Sequence, residues 1–332
     1  MIEVEHLTKR YGAFTAVADM TFNAESGEIL GFLGPNGAGK TTTMRILTGY
    51  MPPSDGTARV ADFDVFTDSM EVRRRVGYLP ETVPLYPDMT VRGYVRYVAD
   101  LRGVKNAGDR VNDVLKTVGM YDRRDSLVRS ISKGMRQRVG LAQALVHDPS
   151  VLILDEPTIG LDPHQTLEVR DLVRTLGRSH TILFSTHILS EAEQVCDRVI
   201  IIDQGQLVAI DAPQTLRDRL QRGGRLFVRI GGDVPLETVR QVLKQVAAVK
   251  QIEPYADGYT ITASANADIR ARLAEAVIGA GWPLLELRPL AVSLEDIFLE
   301  LTHHMPQNAA PIADPAAKPA AKVGKSTKGK TR

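Results

Sequence analysis

Two short stretches of the chain carry residue types at spacings suited to phosphate chemistry. GPNGAGKT at 34–41 fits the pattern G-x-x-x-x-G-K-[ST]. Its glycines let a loop wrap so closely that backbone N–H groups reach an anion that side chains would otherwise block. Lys40 adds a point charge suited to β- and γ-phosphates, and the Thr41 hydroxyl is a ligand for Mg²⁺. VLILDEP at 151–157 supplies two adjacent carboxylates, Asp155 and Glu156. At the end of a buried strand an Asp can hold Mg²⁺ through water, and a neighbouring Glu can orient or deprotonate an attacking water. Asp155 would equally suit a helix cap in a turn, and the phosphate loop in the same chain favours the chemical reading. His187 closes TILFSTH, where its ring could sense a γ-phosphate or simply occupy a turn. A further anion site is suggested by ISKGMRQRVG at 131–140, in which Ser132 is a good helix N-cap and the first turn carries free N–H groups.

These residues need particular elements beneath them. EILGFL before the glycine loop reads as a strand, and the pattern turns helical from Gly37 through TTTMRILTGY. VLILD at 151–155 and TILFST at 181–186 are near-continuous apolar strands separated by a helix at about 163–177. Strands of that kind alternating with helices indicate a parallel sheet covered on both faces. Residues 90–147 read as mostly helix, with Thr90 as a cap, and form an insertion of about 88–147 in that sheet. Met135, Val139, Ala142 and Val146 recur at helical spacing and predict one apolar face.

After about residue 212 the order becomes β-α-β-β-α-β, the split arrangement of ferredoxin-like domains, and SLEDIFLELTH adds a last helix. The expected division is 1–212, a small α+β accessory domain at 213–305, and a disordered basic tail at 306–332. The tail carries five lysines and one arginine against one aspartate. It reads as a solvated end, with docking to an acidic lipid or protein as the alternative. The remainder of the chain is net acidic, which disfavours a nucleic-acid surface. A single cysteine, Cys196, excludes an internal disulfide and fits a reducing compartment. MIEVEHLTKRYG lacks a signal-peptide pattern, and no apolar run approaches the roughly 18 residues of a membrane span, so a membrane role requires a partner.

GPNGAGKT, YLPE, SKGMRQR, LILDEP, GLDP and STH occur in that order and together resemble the nucleotide-binding subunit of an ATP-binding cassette transporter. The resemblance covers about residues 1–212. It implies a P-loop NTPase core of α/β class with a helical subdomain, and a site for ATP and Mg²⁺. ATP would be bound by Gly34, Pro35, Asn36, Gly37, Ala38, Gly39, Lys40, Thr41 and Thr42, with Tyr11 stacked on adenine. Mg²⁺ would be held by Thr41, Asp155 and Glu81, the last standing where the family usually has glutamine. A solvent-facing turn residue is the other reading of Glu81. Lys40, Glu156 and His187 would carry catalysis, His187 as the switch histidine. Gly160–Pro163 resembles the loop that couples two sites across a dimer.

Ser132 and Gly134 match the family signature, usually Leu-Ser-Gly-Gly-Gln, and would face a γ-phosphate held by a second subunit. Ile131, Lys133 and Met135 depart from it, and Lys133 either adds charge nearby or points to water. YLPE and the C-terminal extension are similar to the ABC-2 exporter subgroup. That similarity implies a peripheral ATPase on the cytoplasmic face, a separate transmembrane permease, and a dimer with itself or a paralogue. The competing expectation is a soluble ATPase of the same family acting on ribosomes or DNA. A GTPase or nucleotide kinase would lack the signature helix, and no Asn-Lys-x-Asp motif is present.

Overall fold

Residues 1–216, 225–232, 234–264 and 269–289 are described in the computed structural model of the protein. Strands β1 (Ile2–Tyr11), β2 (Phe14–Ala24), β4 (Asp55–Val60) and β5 (Phe63–Asp64) form an antiparallel sheet in the order β2-β1-β4-β5. A second sheet takes β3 (Ile29–Leu33), β6 (Val76–Leu79), β7 (Val151–Leu154), β8 (Thr181–Thr186), β9 (Arg198–Asp203) and β10 (Gln206–Asp211) in the order β10-β9-β3-β8-β7-β6. All its pairings are parallel except β10 with β9.

The apolar runs of this second sheet divide between two cores because a strand has period two. Leu30, Phe32, Val151, Ile153, Leu183 and Ile200 pack on the side of the antiparallel sheet. Their neighbours Ile29, Leu33, Leu152, Leu154, Ile182, Phe184 and Ile201 pack on the other side, beneath helices. Burial on both faces is what made these strands continuous in hydrophobicity.

Helix α1 (Lys40–Leu47) follows β3, and α2 (Ser69–Arg75) precedes β6. The expected helix start at Gly37 is corrected to Lys40: Gly37 and Gly39 have φ of 85° and 104°, left-handed values that no α-helix accommodates. Between β6 and β7 the chain inserts α3 (Val91–Leu101), α4 (Ala107–Thr117) and α5 (Lys133–Leu145). The Thr90 hydroxyl accepts the Gly93 N–H at 3.0 Å, capping α3, whose Val91, Tyr94, Val95 and Ala99 are buried. On α5 the Ser132 hydroxyl accepts from the Met135 N–H at 3.2 Å. Val139, Ala142 and Val146 are buried and Met135 packs against the same core, as the spacing predicted. Helix α6 (Pro163–Gly177) starts with Pro163 after the Asp162 cap, and α7 (Leu189–Val195) follows β8.

The third sheet, β11 (Arg225–Ile230), β12 (Val249–Tyr255), β13 (Gly258–Ala263) and β14 (Leu284–Pro289), is antiparallel in the order β12-β13-β11-β14. Helices Leu236–Leu243 and Arg270–Gly279 complete the ferredoxin-like order around a separate core of Val228, Val239, Leu243, Ile261, Leu273 and Val277. The expected helix at SLEDIFLELTH and the basic tail lie outside the described residues.

Parallel pairing sends the carboxyl ends of β3, β6, β7 and β8 to one edge. Leu33 is level with Thr186, Leu79 with Leu154, and Leu154 with Phe184. Holding β6 there requires α5 to approach closely: a Cβ on Gly77 would lie 2.2 Å from the Ala144 carbonyl oxygen. Gly77→Ala is therefore expected to cost about 1–3 kcal/mol by displacing helix from strand, measured as a lower denaturant midpoint at unchanged slope.

Candidate functional site

The loop joining β3 to α1 is shaped by close backbone approach. A Cβ on Gly34 would lie 2.5 Å from the Ile202 carbonyl oxygen, and one on Gly39 would lie 2.5 Å from that of Ala16. Pro35, Asn36 and Gly37 are exposed, Gly34, Ala38 and Gly39 are buried, and Thr41 and Thr42 are half-buried. No side chain caps the first turn of α1, so its N–H groups remain available to an anion. Lys40 is only 6% exposed. Its Nζ donates to the Gly34 oxygen at 2.6 Å and the Pro35 oxygen at 3.3 Å, and pairs with Glu156 Oε1 at 3.3 Å.

Asp155 and Glu156 emerge from β7 at the same edge. The buried Ser185 hydroxyl ties them together, donating to Asp155 Oδ1 at 2.8 Å and accepting the Glu156 N–H at 2.9 Å. That bond holds Glu156 at a φ of 50°, a left-handed conformation costing a non-glycine residue about 1–2 kcal/mol. Glu156 Oε2 lies 2.8 Å from His187 Nδ1, which must carry the proton because a carboxylate only accepts. One buried carboxylate thus joins the lysine of the glycine loop to the histidine after β8.

The Oδ2 atom of Asp155 is buried and has no hydrogen-bond partner. Burial pushes its carboxyl above the usual carboxylate range; hydrogen bonds from Ser185 and Thr41 oppose this, and the Glu156 charge adds to it. A bare buried carboxylate oxygen with a threonine hydroxyl beside it is an oxygen donor set suited to a hard divalent cation. The Tyr78 phenol stands beside Asp155, and burial, with the Asp155 charge adding, pushes it up to about 12. Tyr78 therefore stays protonated as a donor at neutral pH.

The remaining predicted residues stand apart from this cluster. Tyr11 is half-exposed at the end of β1, its hydroxyl 3.1 Å from Met51 Sδ and Lys9 over its ring. Glu81 is exposed after β6. Among the described residues no hydrogen bond joins Ser132 or Gly134 to residues 34–42. Gly134 instead packs on α6, where a Cβ would lie 2.4 Å from Gln165 Oε1. Lys133 is solvent-exposed, and its Nζ reaches over Gly160, 2.0 Å from where a Cβ would stand.

Similarity to characterised proteins agrees with this geometry. Residues 17–159 match the family described as ABC transporter. Linearmycin resistance ATP-binding protein LnrL of Bacillus subtilis is 31% identical over 308 residues, spanning 91% of this chain and 98% of its own. Bacitracin transport ATP-binding protein BcrA of Bacillus licheniformis is 35% identical over 91% of this chain and 97% of its own. Nod factor export ATP-binding protein I of Burkholderia lata is 36% identical over 91% and 96%. This chain belongs to the ABC transporter ATP-binding family. A solved ATP-binding subunit of an ABC transporter aligns over 66% of this chain and 93% of its own, with 31% identity and a TM-score of 0.61. A dimeric bacterial ABC transporter cassette shares the fold at a TM-score of 0.59 over 64% of this chain and 98% of its own, with 24% identity.

The ATP-binding subunit is an ATPase, and its site contains residues that motif reading missed. Ser185 was visible only as part of STH, and Tyr78 only as part of YLPE. Buried Glu191 had no signal at all. It accepts from Thr158 at 2.7 Å and Thr186 at 3.0 Å and pairs with Arg170 at 3.0 Å, locking the loop that carries Glu156 to β8, α6 and α7.

Because folding raises the Asp155 pKa above its ordinary 3.8, the neutral acid favours folding. That contribution is present below the unfolded value and lost as pH rises through the folded one, so the raised pKa costs the metal-free subunit stability at pH 7. Asp155→Asn keeps an acceptor for Ser185. It is expected to raise Tm at pH 7 in a chelator, by less as pH falls toward 4, while abolishing hydrolysis; calorimetry and phosphate release check both.

Proposed function

We propose that this ATPase powers a membrane exporter of the ABC-2 type, as one of two nucleotide-binding subunits that sandwich two ATP molecules. The observation carrying the proposal is the buried Lys40–Glu156–His187 chain beside Asp155, in a protein similar along 91% of its length to subunits named for bacitracin transport and Nod factor export. The backbone of residues 34–39 and the first turn of α1, with Thr42, cradle the phosphates, and Tyr11 stacks on adenine. Thr41 and Asp155 hold Mg²⁺, with Glu81 as an added oxygen ligand; when bound, the ion neutralises charge developing on the phosphates. Glu156 orients and deprotonates the attacking water, while Lys40 and His187 contact the phosphate that is cleaved.

Ser132 and Gly134 of a second copy or a paralogue close over that phosphate. The packing of Gly134 on Gln165 and of Lys133 on Gly160 supports a closure in which signature and GLDP loop move together. A separate permease docks near residues 81–100. There Tyr86 lies edge-on to Tyr94 and Tyr97 at 6.0 and 5.8 Å and is 53% exposed. The subunit works at the cytoplasmic face as a peripheral protein, and no described helix is long and apolar enough to cross a membrane. Residues 213–305, with their own sheet and core, form an accessory domain that pins or regulates the dimer.

Glu156→Gln is expected to cut hydrolysis by roughly 10²–10⁴-fold while retaining ATP. It should also dimerise in Mg-ATP by light scattering, and a monomer at saturating ATP would count against the sandwich. Truncation after Pro213 should weaken dimerisation, hydrolysis or permease capture, and no change in all three sinks the accessory role.

A further inference from the structure

A cavity of about 490 Å³ lies away from the residues described above, lined by Arg74, Arg102, Lys105, Arg110, His147 and Asp148 among others. It is formed by the end of α2, the α3–α4 turn, the start of α4 and the segment after α5. Val76 and Val151, beside it in sequence, begin β6 and β7, so it belongs to the amino end of the parallel strands, opposite the phosphate loop. Its volume falls within the range of small-molecule sites.

The charge of the wall is unbalanced. Four cations line it, and Asp148 is its one carboxylate among the lining residues. Asp148 is already committed to Arg110 at 2.8 Å, and Arg110 also donates to the Leu145 and Val146 oxygens. Arg74 pairs with Glu71, which Arg75 shares. Arg102 donates to the Arg73 carbonyl oxygen and stands near the Arg73 charge, without a carboxylate of its own among the described residues. Lys105 forms no ion pair among them. Like charges gathered in a concave wall focus a positive potential that only an anion relieves.

His147 adds a polar group to the wall. Its Nε2 lies 3.0 Å from the Val76 carbonyl oxygen, which only accepts, so Nε2 carries the proton. Nδ1 is left as a buried lone pair with no partner. Burial, with the Arg102 and Arg110 charges adding, lowers the ring's pKa to about 4, so at neutral pH Nδ1 is an acceptor. A phosphate offers anionic oxygens to the guanidinium and ammonium groups of this wall.

We propose that this cavity binds a phosphate-bearing small anion, held by Arg102, Lys105 and Arg110. The phosphate would belong either to a free metabolite or to a lipid headgroup. Neither case depends on the transport reading, because none of these residues takes part in the ATP site.

The test uses the full chain carrying Lys40→Ala in a chelator, which cripples phosphate capture at residues 34–42. Titration calorimetry with inorganic pyrophosphate, and flotation with phosphatidylglycerol vesicles, separate the two sources. One saturable pyrophosphate site, or vesicle recruitment, weakened at least tenfold by Arg102→Ala with Lys105→Ala supports the proposal. The exposed charge reversal Lys105→Glu, which removes no packing, should weaken it in the same direction. Lys244→Ala, a control cation on the third sheet's domain, should leave binding unchanged. Absence of both kinds of binding, or equal loss in the Lys244 variant, overturns the proposal.

Discussion

Three ionisable side chains held almost out of water set the terms for the rest of the molecule. Lys40, Asp155 and Glu156 are each no more than 6% exposed, and burying charge is costly unless it is paired and hydrogen-bonded. The parallel sheet solves this by bringing the ends of β3, β7 and β8 to one edge, so that lysine, carboxylates, Ser185 and His187 satisfy one another. Asp155 Oδ2 and Glu156 Oε1 are left without hydrogen-bond partners, Oε1 facing only the Lys40 ammonium at 3.3 Å.

Keeping this edge rigid draws on parts of the chain with no chemistry of their own. Gly34 and Gly39 admit the carbonyl oxygens of Ile202 and Ala16 at distances no Cβ allows. Glu191, buried on α7, gathers Thr158, Thr186 and Arg170 into one knot, so the left-handed Glu156 cannot relax. Such a conformation persists only where its surroundings over-determine it.

The helices inserted between β6 and β7 perform a different task. Helix α5 rests on β6 through Gly77, and its capped start meets α6 through Gly134 and Gln165. Lys133, one of three departures from the usual signature, reaches over Gly160 in the loop before α6. Within one chain the start of α5 thus touches both the loop at Gly160 and α6, the segments that follow Asp155 and Glu156.

Residue spacing alone identified the glycine loop, the two carboxylates, the strand–helix alternation and the caps at Thr90 and Ser132, because each is a local device read over a few residues. It also supplied the β-α-β-β-α-β order of the C-terminal segment, whose sheet order then followed from pairing. It misplaced the start of α1, since the left-handed φ of Gly37 and Gly39 is set by the loop's close backbone approach and not by local pattern. Only the tertiary structure decided the rest. Ser185 bridges residues thirty positions away, Tyr78 reaches Asp155 across β6 and β7, and Glu191 meets Arg170 from another helix. Lys133 rests on a glycine 27 positions onward, and the basic cavity draws its wall from four separated segments. These contacts join residues far apart in sequence through strand pairing and helix packing, and no local pattern encodes them.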